Sequence, residues 1–164
     1  MKTLILMRHA KSSWKEPFSS DFDRTLTKRG KTDAPEMGKR LHRRQIVPDL
    51  MMTSPAKRAV ETAKIVAGEL GYPVKKIEKN ENIYEAKLED LIHLVHSLDD
   101  SADTILLIGH NPGFYHLVNH LSEDYLQEFP TSAVCAIEFR TDSWRKINQN
   151  SGRTLYYDYP KKPH

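Results

Sequence analysis

The stretch Thr3-Leu4-Ile5-Leu6-Met7-Arg8-His9 decides the fold, because an apolar run ends abruptly in an arginine and a histidine. A short continuous apolar run predicts a strand buried on both faces, as in parallel sheets. The run Thr104-Ile105-Leu106-Leu107-Ile108 is the clearest second example, and it ends in Gly109-His110. Polar groups therefore follow two buried strands at the point where each strand ends.

Helical periodicity separates the apolar runs, without internal repeats or low-complexity linkers, which predicts strand-helix alternation. We expect an α/β fold: a single-domain three-layer sandwich over residues 1–164, with a mostly parallel central sheet and helices on both faces. The tail after Tyr159 is expected to be mobile. Strands are predicted at 3–7, 49–53, 77–84 (weakly), 104–108, 133–139, 144–147 and 155–159. Helices are predicted at 27–44, 54–70 and 88–98 and from 111 onward, with Thr27, Ser54 and Asn111 as N-caps and with Pro55 and Pro112 as first helical residues.

The composition is that of a globular protein, with 38% hydrophobic and 29% charged residues. No apolar run approaches the roughly 18 residues of a membrane span, and the N-terminal run lacks the cleavage site of a signal peptide. The single cysteine, Cys135, excludes an intramolecular disulfide and fits a small buried strand residue in a cytoplasmic protein. No membrane partner is expected.

The formal charge of +3 is modest, and the basic residues are spread along the predicted helices. The densest basic cluster, 40–44, fits the C-terminus of a helix, where the dipole favours cations. Nucleic acid is therefore not expected as a partner, and we expect a monomer.

Three segments follow predicted strands and so meet at one edge of a parallel sheet: Arg8-His9, Ser54 to Arg58, and Gly109 to Gly113. Arginine offers a fork of donors that fits phosphate oxygens, and histidine exchanges protons or attacks phosphorus near neutral pH. Taken singly, Arg58 could be a solvated arginine and His110 a capping histidine. Their convergence favours a phosphate site.

Four segments in order resemble the signatures of the histidine phosphatase (phosphoglycerate-mutase-like) superfamily, and most closely its SixA-like phosphohistidine phosphatase branch. The resemblance covers residue 3 to about 140. It implies that His9 is a nucleophile that forms a phosphohistidine, and that Arg8, Arg58 and His110 hold the transferred phosphoryl group. The segments are Leu6-Met7-Arg8-His9-Ala10-Lys11-Ser12, Leu26-Thr27-Lys28-Arg29-Gly30, Thr53-Ser54-Pro55-Ala56-Lys57-Arg58-Ala59-Val60-Glu61-Thr62-Ala63 and Gly109-His110-Asn111-Pro112-Gly113.

A proton must reach the leaving group, and Glu85 aligns with the acidic position of many superfamily members. A solvated loop carboxylate is the alternative for Glu85, and Asp21 and Asp23 are alternative donors. The resemblance implies a phosphatase for a phosphoprotein or a small phosphate ester, without a metal or other cofactor. A non-catalytic phosphate-binding module and a mutase are the competing possibilities.

The sequence departs from the wider superfamily or its mutases at two residues and in one segment. Ala10 stands where the superfamily usually has glycine, and Lys15 stands where mutase-like members carry an asparagine. The short stretch from Ile83 to Leu88 leaves no room for the insertion that covers the pocket of the mutases. An open site favours a bulky, protein-borne phosphate over an enclosed metabolite.

Two histidine pairs, His93 with His96 and His116 with His120, have helical spacing, but no cysteine or carboxylate completes a metal site, and none is expected. In the loop after the first motif, Phe18 is interpreted as a core anchor. Trp14 could be either a core anchor or a rim for substrate.

Overall fold

The computed structural model describes residues 1–14 and 20–162, so Lys15 and Phe18 lie outside the described residues. The strands are β1 (Lys2–Arg8), β2 (Leu50–Thr53), β3 (Glu78–Lys79), β4 (Thr104–Gly109), β5 (Val134–Phe139) and β6 (Arg153–Asp158). The α-helices are α1 (Lys28–Arg43), α2 (Lys57–Leu70), α3 (Leu88–His96) and α4 (Gly113–Leu121). No described helix is both long and apolar enough to cross a membrane.

The six described strands form one sheet in the order β3-β2-β4-β1-β5-β6, and the first four are parallel to one another. Strand β5 is antiparallel to β1, and β6 is antiparallel to β5. This confirms the predicted α/β fold with a mostly parallel sheet. Arg8 pairs with Gly109 across β1 and β4, so the segments that follow these strands begin side by side.

Alternate residues of β1 supply two separate cores, as expected for a strand covered on both faces. Leu4 and Leu6 pack in a cluster with side chains of α3 and α4. Ile5 and Met7 pack in a second cluster with side chains of α1 and α2. The helices therefore lie in two layers around the sheet, as predicted.

Two predicted helix starts are wrong by one or two residues. Helix α2 begins at Lys57 instead of Pro55, and Ser54 Oγ accepts a hydrogen bond from the Ala56 amide at 3.2 Å. Helix α4 begins at Gly113, because the Asn111 side chain donates to the Phe129 carbonyl at 2.7 Å instead of capping the helix. Ser54 Oγ also lies 2.7 Å from His110 Nε2, so both polar side chains have tertiary partners that local sequence does not reveal.

The segments predicted at 77–84 and 144–147 also differ from expectation. Only Glu78–Lys79 forms a strand in the first, followed by a 3-10 turn at Glu81–Ile83. The second is a 3-10 turn, Trp144–Lys146, instead of an edge strand. The Trp144 ring is fully buried and donates from Nε1 to the Ala102 carbonyl at 2.9 Å, so tertiary packing fixes this turn.

The remaining predictions for single residues are met or stay open. Thr27 caps α1 by accepting from the Gly30 amide at 3.0 Å, and Cys135 is fully buried. In the tail, Arg40 donates to the carbonyls of Tyr159 and Pro160 at 3.0 and 3.1 Å. The mobility of residues 160–164 stays a prediction.

The first turn of α1 lies directly on the chain that follows β1. The Thr27 amide donates to the Lys11 carbonyl at 2.8 Å. A Cβ on Gly30 would lie 2.2 Å from that same carbonyl oxygen, which is closer than any side chain tolerates. Glycine at position 30 therefore permits the close approach that fixes the backbone beyond His9.

We expect Gly30→Ala to lower the free energy of unfolding by about 1–3 kcal/mol, because the backbone of Lys11 must move to admit the methyl group. Gly68→Ala is the matched control, since Gly68 lies in α2 with nothing within 4 Å of the new Cβ. This second change should raise stability by about 0.5–1 kcal/mol through helix propensity. Urea unfolding followed by circular dichroism measures both; equal effects of the two substitutions would contradict the packing argument.

Candidate active site

The carboxyl ends of β1, β2 and β4 open into a cavity of about 470 Å³. Four predicted site residues, Arg8, His9, Arg58 and His110, line it together. The hydrogen bond from the His9 amide to the Gly109 carbonyl, 3.0 Å, continues the β1–β4 ladder past the end of the sheet. Parallel pairing thus brings together residues that are far apart in sequence.

The His9 ring is only 6% exposed, and one hydrogen bond fixes its tautomer. Nδ1 lies 2.7 Å from the carbonyl oxygen of Ala10. Because a carbonyl can only accept, the proton sits on Nδ1 and the lone pair sits on Nε2. The adjoining Ala10 amide donates to Thr62 Oγ1 at 3.0 Å, which ties this loop to α2.

The surroundings of His9 keep the imidazole uncharged. Burial lowers its pKa to about 3, and the neighbouring His110, Arg58 and Arg8 act in the same direction. The hydrogen bond to the Ala10 carbonyl opposes this shift without overcoming it. His9 is therefore neutral near pH 7, with an unprotonated Nε2.

Of the two predicted arginines, Arg58 is buried and Arg8 is half-buried, and both are only partly satisfied. Arg58, in the first turn of α2, is 5% exposed, so it is not a solvated arginine. Its Nη1 and Nη2 donate to the carbonyl and the carboxylate of Asp21 at 2.8 and 3.1 Å. Arg8 Nη1 donates to the Phe129 carbonyl at 3.3 Å, and burial and the charge of Arg58 lower the Arg8 pKa. Nε of both arginines has no hydrogen-bond partner among the described residues.

His110 faces His9, with ring centroids 5.1 Å apart. Its Nε2 lies 2.7 Å from Ser54 Oγ, the same oxygen that accepts from the Ala56 amide. Nδ1 is buried and has no hydrogen-bond partner in the described part of the chain. Burial and the charge of Arg58 lower the pKa of His110 to about 4.

Asp21, one of the three candidate proton donors, is held as a carboxylate. Its Oδ2 accepts from Tyr84 Oη at 2.8 Å as well as from Arg58, and its Oδ1 lies 3.1 Å from Arg24 Nε. Partial burial alone would raise the pKa of Asp21, but the Tyr84 hydrogen bond and Arg58 outweigh it and lower the pKa. Asp21 is therefore poorly suited to give up a proton near pH 7.

The other two acidic candidates lie outside the cavity that holds His9. Glu85 is exposed and lines an adjoining cavity of about 400 Å³, which also has His110 as a wall. Its φ of 55° is in the left-handed region, an uncommon conformation for glutamate that recurs at functional sites. Asp23 is exposed and accepts from Ser20 Oγ at 3.1 Å. The role of Glu85 stays a prediction.

Sequence reasoning missed Arg24, which also lines the cavity. Arg24 is only 6% exposed, and its Nη1 has no hydrogen-bond partner among the residues described. Its guanidinium stacks on the ring of Trp14 at 3.3 Å from the ring centroid, while Trp14 itself is 76% exposed. Trp14 is thus a rim residue, and no spacing in the sequence distinguishes Arg24 from the other charged residues of its loop.

The cavity as a whole suits a dianion. Four guanidiniums and one ammonium line it, and only the Asp21 carboxylate is present to balance them among the lining residues described; the cations are Arg8, Arg24, Arg29, Arg58 and Lys11. Within residues 1–14 and 20–162, no three His, Cys, Asp or Glu side chains are grouped to hold a metal ion. Unpaired donors around a neutral histidine can bind and polarise a phosphoryl group.

The profile of the histidine phosphatase superfamily (branch 1) matches residues 4–101, more than half of the chain. The chain therefore belongs to this superfamily and is an enzyme of the histidine phosphatase type. SixA from Agrobacterium tumefaciens is 26% identical and superposes with a TM-score of 0.81 over 97% of this chain and 98% of its own. The predicted SixA-like branch is thereby confirmed.

Two further relatives bear on the fold. The protein histidine phosphatase SixA in complex with tungstate superposes with a TM-score of 0.81 at 22% identity, over 96% of this chain and 97% of its own. A 2,3-bisphosphoglycerate-dependent phosphoglycerate mutase from Bartonella bacilliformis is 34% identical over 92 residues. That match spans 55% of this chain and only 45% of the mutase.

Proposed function

We propose that the chain is a phosphohistidine phosphatase that works through a covalent phosphohistidine on His9. The observation that carries this proposal is the tautomer of His9. With Nδ1 donating to the Ala10 carbonyl at 2.7 Å and the ring neutral, Nε2 is a nucleophile among phosphate-binding cations. The 26% identity to SixA from Agrobacterium tumefaciens over nearly the whole chain supports the same substrate class.

In the first half-reaction, the Nε2 lone pair forms a bond to phosphorus while the bond from phosphorus to the substrate's leaving atom breaks. Negative charge spreads over the equatorial phosphoryl oxygens in this step. Arg8 and Arg58 donate to those oxygens, and His110 donates from a ring N–H. The two guanidiniums supply the positive charge that a metal ion supplies in other phosphatases, and His110 adds a hydrogen bond, so no step requires a metal ion.

In the second half-reaction, water attacks the phosphorus of phospho-His9, a new P–O bond forms and the Nε2–P bond breaks. Inorganic phosphate leaves, and His9 returns to its neutral form. One group must give a proton to the first leaving atom and take one from the water. Glu85 is assigned this role, because Asp21 is held ionised by Tyr84 and Arg58.

Two alternatives are less well supported. A mutase is disfavoured because only Tyr84 to Lys87 separate the turn at Glu81–Ile83 from α3, which leaves no covering segment there. A non-catalytic phosphate-binding module has no use for the Nε2 lone pair on a buried, neutral His9. A small phosphate ester is the competing substrate class. Comparing kcat/KM for small phosphate esters with kcat/KM for phosphohistidine peptides distinguishes the two classes.

Incubation with radiolabelled phosphoramidate and quenching in alkaline denaturant should give a labelled protein whose label is stable in base and lost in acid. His9→Ala should abolish the label and lower kcat/KM by at least about a thousandfold, since the covalent step is lost. His42→Ala is the control, because His42 is exposed on α1 outside the cavity. Normal labelling of His9→Ala would refute the assignment of the nucleophile.

Glu85→Gln should lower kcat/KM for alkyl phosphates, which have poor leaving groups, by about a hundredfold or more. For p-nitrophenyl phosphate, whose leaving group needs little protonation, the loss should be less than about tenfold. Asp23→Asn, measured with the same two esters, is the control, because Asp23 is an exposed carboxylate and one of the alternative proton donors. Equal losses on both esters would rule out an acid role for Glu85.

A further inference from the structure

A second, larger cavity of about 750 Å³ adjoins the candidate active site. We call it the basic trough. The two cavities share Lys11, Ser12, Trp14 and Arg29 as lining residues, so the trough continues directly from the site. Its remaining wall comes from Ser13, from 25–28 and from Lys31, at the start of α1.

The trough carries cations without matching anions. Lys11, Lys28 and Lys31 are exposed and make no ion pair with any described residue, whereas Arg29 pairs with Asp33 at 3.3 Å. None of the described lining residues is acidic. The part of the trough that the structure describes therefore carries charge of one sign, next to a candidate site for a phosphoryl group.

Helix stability does not explain these cations. Lys28 and Lys31 lie in the first turn of α1, where the helix dipole is positive and acidic residues are favoured. That turn contains no acidic residue. Cations here weaken the helix slightly, so a binding role is a better explanation than a structural one.

The rim between the two cavities is an exposed aromatic ring. Trp14 lines both cavities, and its ring stacks on the buried guanidinium of Arg24. Arg24 keeps Nη1 without a hydrogen-bond partner in the described ranges, so the stack is backed by an unsatisfied cation. Exposed tryptophan beside arginine is typical of protein interfaces and uncommon on surfaces without a partner.

We propose that the basic trough docks an acidic segment of a phosphoprotein substrate, next to the phosphohistidine held at His9. This inference rests on the proposed function and names the kind of substrate that it takes. Mobile ammonium groups spread along a trough suit several carboxylates on a flexible chain. The volume of about 750 Å³ exceeds what a second phosphate group of a small ester would fill.

The test compares two synthetic phosphohistidine peptides of the same length, one flanked by glutamates and one by glutamines. The wild-type protein should hydrolyse the glutamate peptide with about tenfold higher kcat/KM at low salt, and the difference should shrink at high salt. The double variant Lys28→Glu/Lys31→Glu should remove this preference. Its hydrolysis of p-nitrophenyl phosphate should stay within about twofold of wild type, because neither lysine lines the cavity around His9.

Lys39→Glu is the matched control, since Lys39 is exposed on the same helix but lines neither cavity. It changes the net charge in the same direction and should keep the preference. Misfolding is not expected to confuse the result, because glutamates in the first turn of α1 are favoured by the helix dipole. The proposal would be overturned if the wild-type protein hydrolysed the glutamate and glutamine peptides at equal rates. Loss of the preference for the glutamate peptide in Lys39→Glu would overturn it as well.

Binding of the unphosphorylated glutamate peptide, measured by fluorescence anisotropy, separates this proposal from the proposed function. If neither phosphopeptide is hydrolysed, the phosphohistidine function fails, yet binding that weakens in Lys28→Glu/Lys31→Glu but not in Lys39→Glu still supports the trough. Absence of such binding overturns the trough proposal alone. If a small bisphosphate ester loses affinity in the double variant and the peptide does not, the trough serves a second phosphate and the docking proposal is wrong.

Discussion

The hydrogen bond from His9 Nδ1 to the carbonyl of Ala10, 2.7 Å long, is the contact on which the candidate site depends. It places the ring proton away from the cavity and leaves Nε2 as the reactive atom. The backbone around it is fixed on both sides, since His9 extends the β1–β4 ladder and Ala10 bonds to Thr62 of α2. The two sequence elements joined here, the end of β1 and the start of α2, are thus locked in one geometry.

A neutral histidine among cations is a consequence of burial and charge together. Arg8, Arg58 and His110 all disfavour a positive charge on His9, and desolvation disfavours it further. Burial and then the charge of Arg58 also lower the pKa of Arg8 and of His110, and the two guanidiniums repel each other. A bound phosphoryl dianion relieves that repulsion, so the folded chain is electrostatically prepared for its substrate. Asp21 provides only one balancing carboxylate.

Much of this arrangement could be predicted from the sequence. Apolar runs in the sequence predict buried parallel strands. Because the carboxyl ends of such strands meet at one edge of the sheet, the sequence also predicts that the four site residues lie together: Arg8, His9, Arg58 and His110. Helix starts were less predictable, because the Ser54 and Asn111 side chains also contact residues that are distant in sequence. Ser54 contacts His110, 56 residues away, and Asn111 contacts Phe129, 18 residues away. A local sequence pattern cannot predict contacts over such separations.

Other features depend on packing that no spacing encodes. Arg24 is one of many charged residues in its loop, and only the fold buries it against Trp14. Asp21 could serve as an acid on sequence grounds alone, but in the folded chain Arg58 and Tyr84 donate hydrogen bonds to its carboxylate and Arg24 forms an ion pair with it. Glu85 lies in a cavity beside His110 and not with His9, a separation that depends on the turn before α3. Charge in this site is therefore decided by tertiary contacts.

The state of the His9 ring tests this account most directly. Long-range proton–nitrogen correlation NMR on the ligand-free protein, assigned with a His9→Gln variant, reports the tautomer and the pKa of His9. We predict the neutral form with the proton on Nδ1 at pH 7, and protonation only as the pH falls toward about 3. A proton on Nε2, or a ring that becomes doubly protonated near the ordinary histidine pKa of 6.5, would contradict the account.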